Sequence, residues 1–178
     1  MKLDKFDLDI LAMLERDSRA SLQDISAQVG LSATPCWTRI KRMQEHGVIR
    51  GYTVDIDPAA IGYPETVILQ LTLESHNDET LEEFGRALED IPEVLEASLV
   101  SGDYDYYVRI AVRDTRDYER LLREQLYRIP GIRHSKSSFV LRRLKDSPSP
   151  LQATLKLRDA AATGTKAGTA PKRRAKTR

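Results

Sequence analysis

The sequence predicts an α+β protein in two parts, an N-terminal winged-type helix-turn-helix joined to a C-terminal ferredoxin-like βαββαβ domain. Three observations carry this. Three short amphipathic segments with cap residues and a glycine turn fill residues 1–50. The order strand, helix, strand, strand, helix, strand fills 65–145. Between them, Asp57-Pro58 and Gly62-Tyr63-Pro64 punctuate a linker over 51–64.

The first helix is expected over Asp4–Asp17. Asp4 caps it with Asp7 three positions on, and Phe6, Ile10, Met13 and Leu14 recur at helical spacing. Ser21 caps a second, short helix carrying Leu22, Ile25, Ala27 and Val29, and Gly30 suits the left-handed position that ends it. Leu31 plugs the core and Ser32 caps a third helix running to about His46. Pro35 lies in that helix's first turn, where its missing N–H would have no partner anyway.

Two faces divide the third helix. Cys36, Ile40 and Met43 fall together and pack inward. Thr34, Trp37, Thr38, Lys41 and Arg42, with Arg39 beside them, lie on the other side, where a major groove of double-stranded DNA would meet them. A purely structural three-helix bundle with a solvated basic face shares this local pattern, but turn chemistry and charge placement agree independently on the helix-turn-helix. For Trp37, contact with a thymine methyl or sugar competes with packing against the first helix or a partner subunit.

An extended segment follows through Ile56. Beyond the linker, Thr66–Glu74 alternates as a half-buried strand. Asn77–Asp90 is a helix with Leu81, Phe84 and Leu88 inward, stopped by Pro92. Leu95–Val100 and Tyr106–Val112 are strands joined across Gly102-Asp103. Thr115–Ile129 is a helix halted by Pro130-Gly131, and Ser135–Leu144 the last strand. Such a plait has helices on one face, so its bare face is expected to be apolar and covered by the same face of a second copy. From Asp146 the character changes, and 146–178 reads as a disordered basic tail.

Composition narrows the function. Among 178 residues, 40% are apolar and 31% charged, enough for a core in a soluble chain. No stretch approaches a membrane span, and the N-terminus lacks a secretory apolar region. The single cysteine, Cys36, fits a reducing cytosol, so a cytoplasmic location is expected. The net charge of +1 hides an asymmetry. Lys166, Lys172, Arg173, Arg174, Lys176 and Arg178 end the chain without an acid, leaving 22 bases against 27 acids before them. Within that acidic body, Ser32–Arg50 carries Arg39, Lys41, Arg42 and Arg50 against Glu45 alone, a basic island suited to a polyanion. Catalytic equipment is sparse: His46, His76 and His134 are scattered, and no metal spacing or phosphate-cradling loop is present. Neither an enzyme nor a metal or cofactor site is expected. An architectural DNA-binding protein is the other rival, favoured by the basic tail.

Two strings resemble the Lrp/AsnC, or feast/famine, regulators over roughly residues 3–145. One is Gly30-Leu31-Ser32-Ala33-Thr34-Pro35-Cys36, continued by Trp37, Arg39, Ile40 and Arg42, then Gly47, Ile49 and Gly51-Tyr52-Thr53. The other is Ser101-Gly102-Asp103-Tyr104-Asp105-Tyr106, followed by Pro130-Gly131. The resemblance implies a cytoplasmic transcription regulator that dimerises and assembles further into tetramers or octamers. It also implies a small effector, an amino acid or related metabolite, bound near the Gly-Asp-x-Asp turn at contacts between dimers. On that resemblance Ser101, Gly102, Asp103, Tyr104 and Asp105 are effector-site residues, with Thr115 and Ser138 nearby. The chemistry suits an α-amino acid: Asp103 or Asp105 accepts from an ammonium, and backbone at Gly102 can approach a carboxylate. A hairpin turn with Asp chosen for turn chemistry alone has the same sequence. The tail beyond Lys145 departs from the family pattern in length and charge.

Overall fold

The computed structural model describes residues 1–147 and 149–164, with side chains through Ala160. Helix α1 (Lys5–Arg16) opens on a capping box. The Asp4 carboxylate accepts the Asp7 N–H at 2.9 Å, and the Asp7 carboxylate accepts the Asp4 N–H at 3.0 Å. Helix α2 (Leu22–Val29) is capped by Ser21, whose Oγ accepts the Asp24 N–H at 3.1 Å. Gly30 ends it at φ +73°, a left-handed conformation that side-chain-bearing residues rarely adopt. Helix α3 (Ala33–Glu45) starts after Ser32, which occupies the cap position but makes no side-chain cap bond. Ile10, Ile25, Cys36 and Met43 form the buried centre, with Leu31 and Ile40 half-buried against it.

The second unit spans Asp55–Lys145. Its elements are β1 (Glu65–Leu73), α4 (Asp78–Glu89), β2 (Val94–Leu99), β3 (Tyr106–Val112), α5 (Thr115–Glu124) and β4 (Ile132–Phe139). The strands lie in the order β2-β3-β1-β4, with every neighbouring pair antiparallel. This is the expected plait. Val67, Leu69, Leu71 and Leu73 of β1 share a face with Tyr106, Val108, Ile110 and Val112 of β3 and pack on Phe84, Leu88, Tyr118 and Leu121 of the two helices.

Several expectations are corrected. The bare sheet face is not apolar. Its β1 positions are Thr66, Ile68, Gln70 and Thr72, facing Tyr107, Arg109 and Ala111 of β3, and Arg109 pairs with Glu96 of β2 at 3.2 Å. The last strand lies earlier than expected, at Ile132–Phe139; past Val140, whose N–H reaches the Thr66 carbonyl, the chain leaves the sheet. Helix α5 ends at Glu124, and a 3₁₀ turn at Leu126–Arg128 completes the helical stretch. Residues 51–56, expected to be extended, form neither helix nor strand.

The largest correction concerns the C-terminal segment. Residues Leu151–Gly164, expected to be disordered, form helix α6. It packs on α1 within the first unit, and Arg158 pairs with Asp9 at 2.5 Å. Local composition misses this because the stabilising partners lie over a hundred residues away. The expectation for 165–178 falls outside the described residues. No described helix is long and apolar enough to cross a membrane.

Candidate nucleic-acid interface and effector turn

Helix α3 presents two faces, as its spacing requires. Cys36 and Met43 are fully buried, and burial pushes the Cys36 thiol pKa up. On the opposite face Thr34, Trp37, Thr38 and Lys41 are exposed, Trp37 at 54%. The Thr38 hydroxyl donates to the Thr34 carbonyl at 3.0 Å, as threonines in helices do. The Lys41 ammonium lies 5.3 Å from the centre of the Trp37 ring, within cation–π range, and 3.8 Å from Glu45. Indole and ammonium therefore form one exposed unit.

The two arginines are placed differently from the rest. Asp7 on α1 is wholly buried, a costly position for a carboxylate unless its oxygens are paired. Arg39 supplies one partner at 2.8 Å and also reaches Asp4 at 2.7 Å, lying over the Phe6 ring at 5.4 Å. Arg42 supplies the other, bridging both Asp7 oxygens at 3.1 and 2.9 Å. The Asp7 N–H, and then Arg39, hold the Asp4 carboxyl below the usual carboxylate range. Arg39, expected beside the groove-facing set, is thus tied into the α1–α3 packing. Arg42 is bound from one side and 44% exposed on the other. The sequence signal for this lay in the unpaired acid Asp7 on an otherwise apolar helix face.

In the second unit the turn between β2 and β3 holds Ser101, Gly102 and Asp103 exposed, with Gly102 at φ +122°. Tyr104 and Asp105 are half-buried. Asp105 anchors the turn rather than facing a ligand freely. Its carboxylate accepts the Leu73 N–H at 2.8 Å and lies 3.1 Å from His76 Nε2, while its own N–H donates to the Leu71 carbonyl at 2.8 Å. Asp103 has no side-chain partner among the described residues; only its carbonyl is engaged, by the Thr72 hydroxyl at 3.4 Å.

The remaining two candidates are not brought to this turn. Thr115 follows the far end of β3, and six strand steps of about 3.4 Å each separate the two ends by roughly 20 Å. Ser138 stands opposite Ile68 near the end of the edge strand β4, on the uncovered face. Within one chain the seven residues are therefore three separate places. Beside Thr115, sequence reasoning missed an ion-pair cluster. Asp117 is buried; its N–H donates to the Asp114 carboxylate that caps the helix, and its own carboxylate accepts the Arg113 N–H and meets the Arg113 guanidinium at 2.7 Å and that of Arg120 at 2.8 Å. Arg113, then Arg120, hold its carboxyl far below the usual carboxylate range.

A helix-turn-helix whose third helix exposes a polar and basic face, joined to a ferredoxin-like domain, defines a class of two-module DNA-binding regulators. Residues 3–50 match the family model described as winged helix-turn-helix DNA-binding, and residues 66–150 match the Lrp/AsnC ligand-binding domain. The chain is 38% identical over 145 residues to the leucine-responsive regulatory protein of Haemophilus influenzae, covering 82% of this chain and 87% of that one. The Escherichia coli protein of that name is 37% identical over the same share of this chain and 88% of its own. Among solved structures, an AsnC family transcriptional regulator from Agrobacterium tumefaciens is 35% identical with a TM-score of 0.80, covering 85% of this chain and 99% of that one. A transcriptional regulator of Neisseria meningitidis in complex with L-Met is 26% identical with a TM-score of 0.79, covering 83% and 96%. The chain belongs to the Lrp/AsnC family of transcription regulators.

Proposed function

We propose that this regulator reads its operator with Thr34, Trp37, Thr38 and Lys41, while Arg42, held by Asp7, contacts a phosphate or base edge from the flank. Arg39 serves this surface indirectly, by fixing α3 on α1. The observation that carries the reading is that α3 buries Cys36 and Met43 and leaves Thr34, Trp37, Thr38 and Lys41 exposed, while the buried Asp7 of α1 ties down Arg39 and one side of Arg42. Nothing in it needs catalysis: the chain acts by binding.

We infer further that an amino acid or related metabolite binds at the Ser101–Asp105 turn. The bound L-Met of the Neisseria relative supports that ligand class. Asp103 is the carboxylate with a side chain at liberty to take an ammonium, and Tyr104 the adjoining wall. Thr115 and Ser138 lie too far away to complete the site from the same chain, so other copies would bring them in. Chains are therefore proposed to pair and assemble further, with the uncovered sheet face, bearing Ile68 and Tyr107, as the first contact. Exposed Val54, Ile56 and Ile61 also await cover.

Trp37, the chain's sole tryptophan, offers the test. Its fluorescence should change on titration with operator DNA and stay unchanged with amino acids alone. A Trp37 signal blind to bound DNA contradicts the reading face. Light scattering at micromolar concentration should give dimers or larger; a stable monomer contradicts the assembly.

A further inference from the structure

Helix α6 begins one residue beyond the family-matched segments at 3–50 and 66–150, yet it docks on α1. The DNA-binding unit is therefore built from two pieces of chain, Met1–Val54 and the stretch from Asp146 onward, with Asp55–Lys145 spliced between them. Both ends of the second unit run directly into it.

The docking is specific in its chemistry. Leu151, Leu155 and Arg158 fall on one face of α6 and are half-buried, while Leu157 points away at 73% exposure. Ser149, just before α6, hydrogen-bonds to Glu15 near the end of α1, and Arg158 pairs with Asp9 at 2.5 Å near its start. The two helices therefore run antiparallel. At 3.6 residues per turn, Asp7 and Asp9 point about 200° apart around α1. Asp9 faces α6, and Asp7 faces α3, where it meets Arg39 at 2.8 Å and Arg42 at 2.9 Å. Helix α1 is gripped from opposite sides, by an acid on each.

We propose that α6 is a strap: by holding α1 from behind, it fixes the bearing on which Asp7 sets Arg39, Arg42 and the exposed face of α3. A helix held along one face pivots about that face, whereas ion pairs on opposite faces fix its rotation. Docked, α6 keeps α3 in its reading arrangement; released, it lets α1 turn and α3 loosen. This rests on the DNA-binding reading and adds to it a control point on the side of α1 away from α3, where no DNA contact is needed.

The test uses the full chain and five variants: Arg158→Glu, Lys156→Glu, Asp9→Arg with Arg158→Glu, Arg42→Ala, and Arg42→Ala with Arg158→Glu. Urea unfolding is followed by Trp37 fluorescence, and anisotropy gives the ratio of affinities for operator and for a generic duplex. Arg158→Glu should lower the unfolding midpoint, and the affinity ratio should fall severalfold. Exchanging the charges with Asp9→Arg should recover both, by about threefold to tenfold in the unfolding equilibrium. Lys156→Glu, the same charge change on the exposed side of α6, should move neither. Independent sites add to within about twofold, so Arg158→Glu and Arg42→Ala together should depart from additivity by more than that. An Arg158→Glu chain that matches Lys156→Glu overturns the strap. Additive effects with Arg42→Ala overturn it too, since α6 would then prop α1 without reaching α3. An unmoved affinity ratio in a chain that prefers its operator has the same force. A wild-type chain that binds both duplexes equally counts against the operator-reading face alone, because the urea cycle needs no DNA and still decides the strap.

Discussion

Replacing Asp7 with Asn tests the organisation of the DNA-binding unit at its most exposed assumption, that one buried acid holds two arginines of the recognition helix. The isostere keeps the volume and can still accept the Asp4 N–H, so the change removes charge and little else. Asp7 is fully buried and meets Arg39 at 2.8 Å and Arg42 at 2.9 Å. Breaking a buried ion pair by removing one partner costs about 3–5 kcal/mol. Two features reduce that figure: Arg42 is 44% exposed and can turn to water, and Arg39 keeps Asp4 at 2.7 Å. We therefore expect about 2–3 kcal/mol, a large share of the ~5 kcal/mol available to so small a unit. Urea unfolding followed by Trp37 fluorescence isolates this transition, since the second unit has no tryptophan. The midpoint should fall with the slope unchanged. A loss below about 0.5 kcal/mol, the range of an ordinary surface substitution, would refute the reasoning.

Three further outcomes follow from the same geometry. Lys41→Ala and Trp37→Ala should each weaken operator binding by ~1–3 kcal/mol with the unfolding midpoint unchanged, read by anisotropy and by urea titration followed by far-UV circular dichroism, since Trp37→Ala removes the fluorescent probe. Asp103→Ala should abolish the effector response at wild-type stability, whereas Asp105→Ala should also lower the stability of the second unit by about 1–3 kcal/mol, since the Leu73 N–H loses its acceptor. Asp117 has a folded pKa depressed below its unfolded value, so its stabilisation is complete above the ordinary carboxylate range and is lost as pH falls from there toward the folded value. Thermal melts from pH 6 downward should show that acid loss, and Asp117→Asn should be less stable at pH 6 and flatter in its acid dependence; parallel wild-type and Asn curves would contradict it.

What the sequence made legible was what short-range chemistry encodes. Asp4 with Asp7, Ser21 with Asp24, and Gly30 mark helix ends through groups three or four residues apart, and the alternation Val67, Leu69, Leu71, Leu73 marks a strand by period alone. What it hid depends on distant partners. Arg39 and Arg42 look like DNA ligands until Asp7, 32 and 35 residues away, is seen between them. Asp105 reads as a ligand group until its carboxylate is found on the Leu73 N–H. Helix α6 was readable in part: Leu151–Ala162 is dominated by Leu, Ala, Gln, Lys and Arg, the strongest helix formers, following a proline suited to a helix start. Its low complexity and proximity to the basic terminus masked that, and its docking on Asp9 has no local signature.

The central claim is that one chain couples base reading by α3 to a metabolite held at the Ser101–Asp105 turn. Operator selection from a random duplex pool, repeated with each amino acid for wild type and Asp103→Ala, tests it most directly. The account predicts one enriched operator for both proteins without effector, and a change in affinity or occupancy with at least one amino acid for wild type only. Equal responses in the two proteins, or no operator enriched for either, would contradict it.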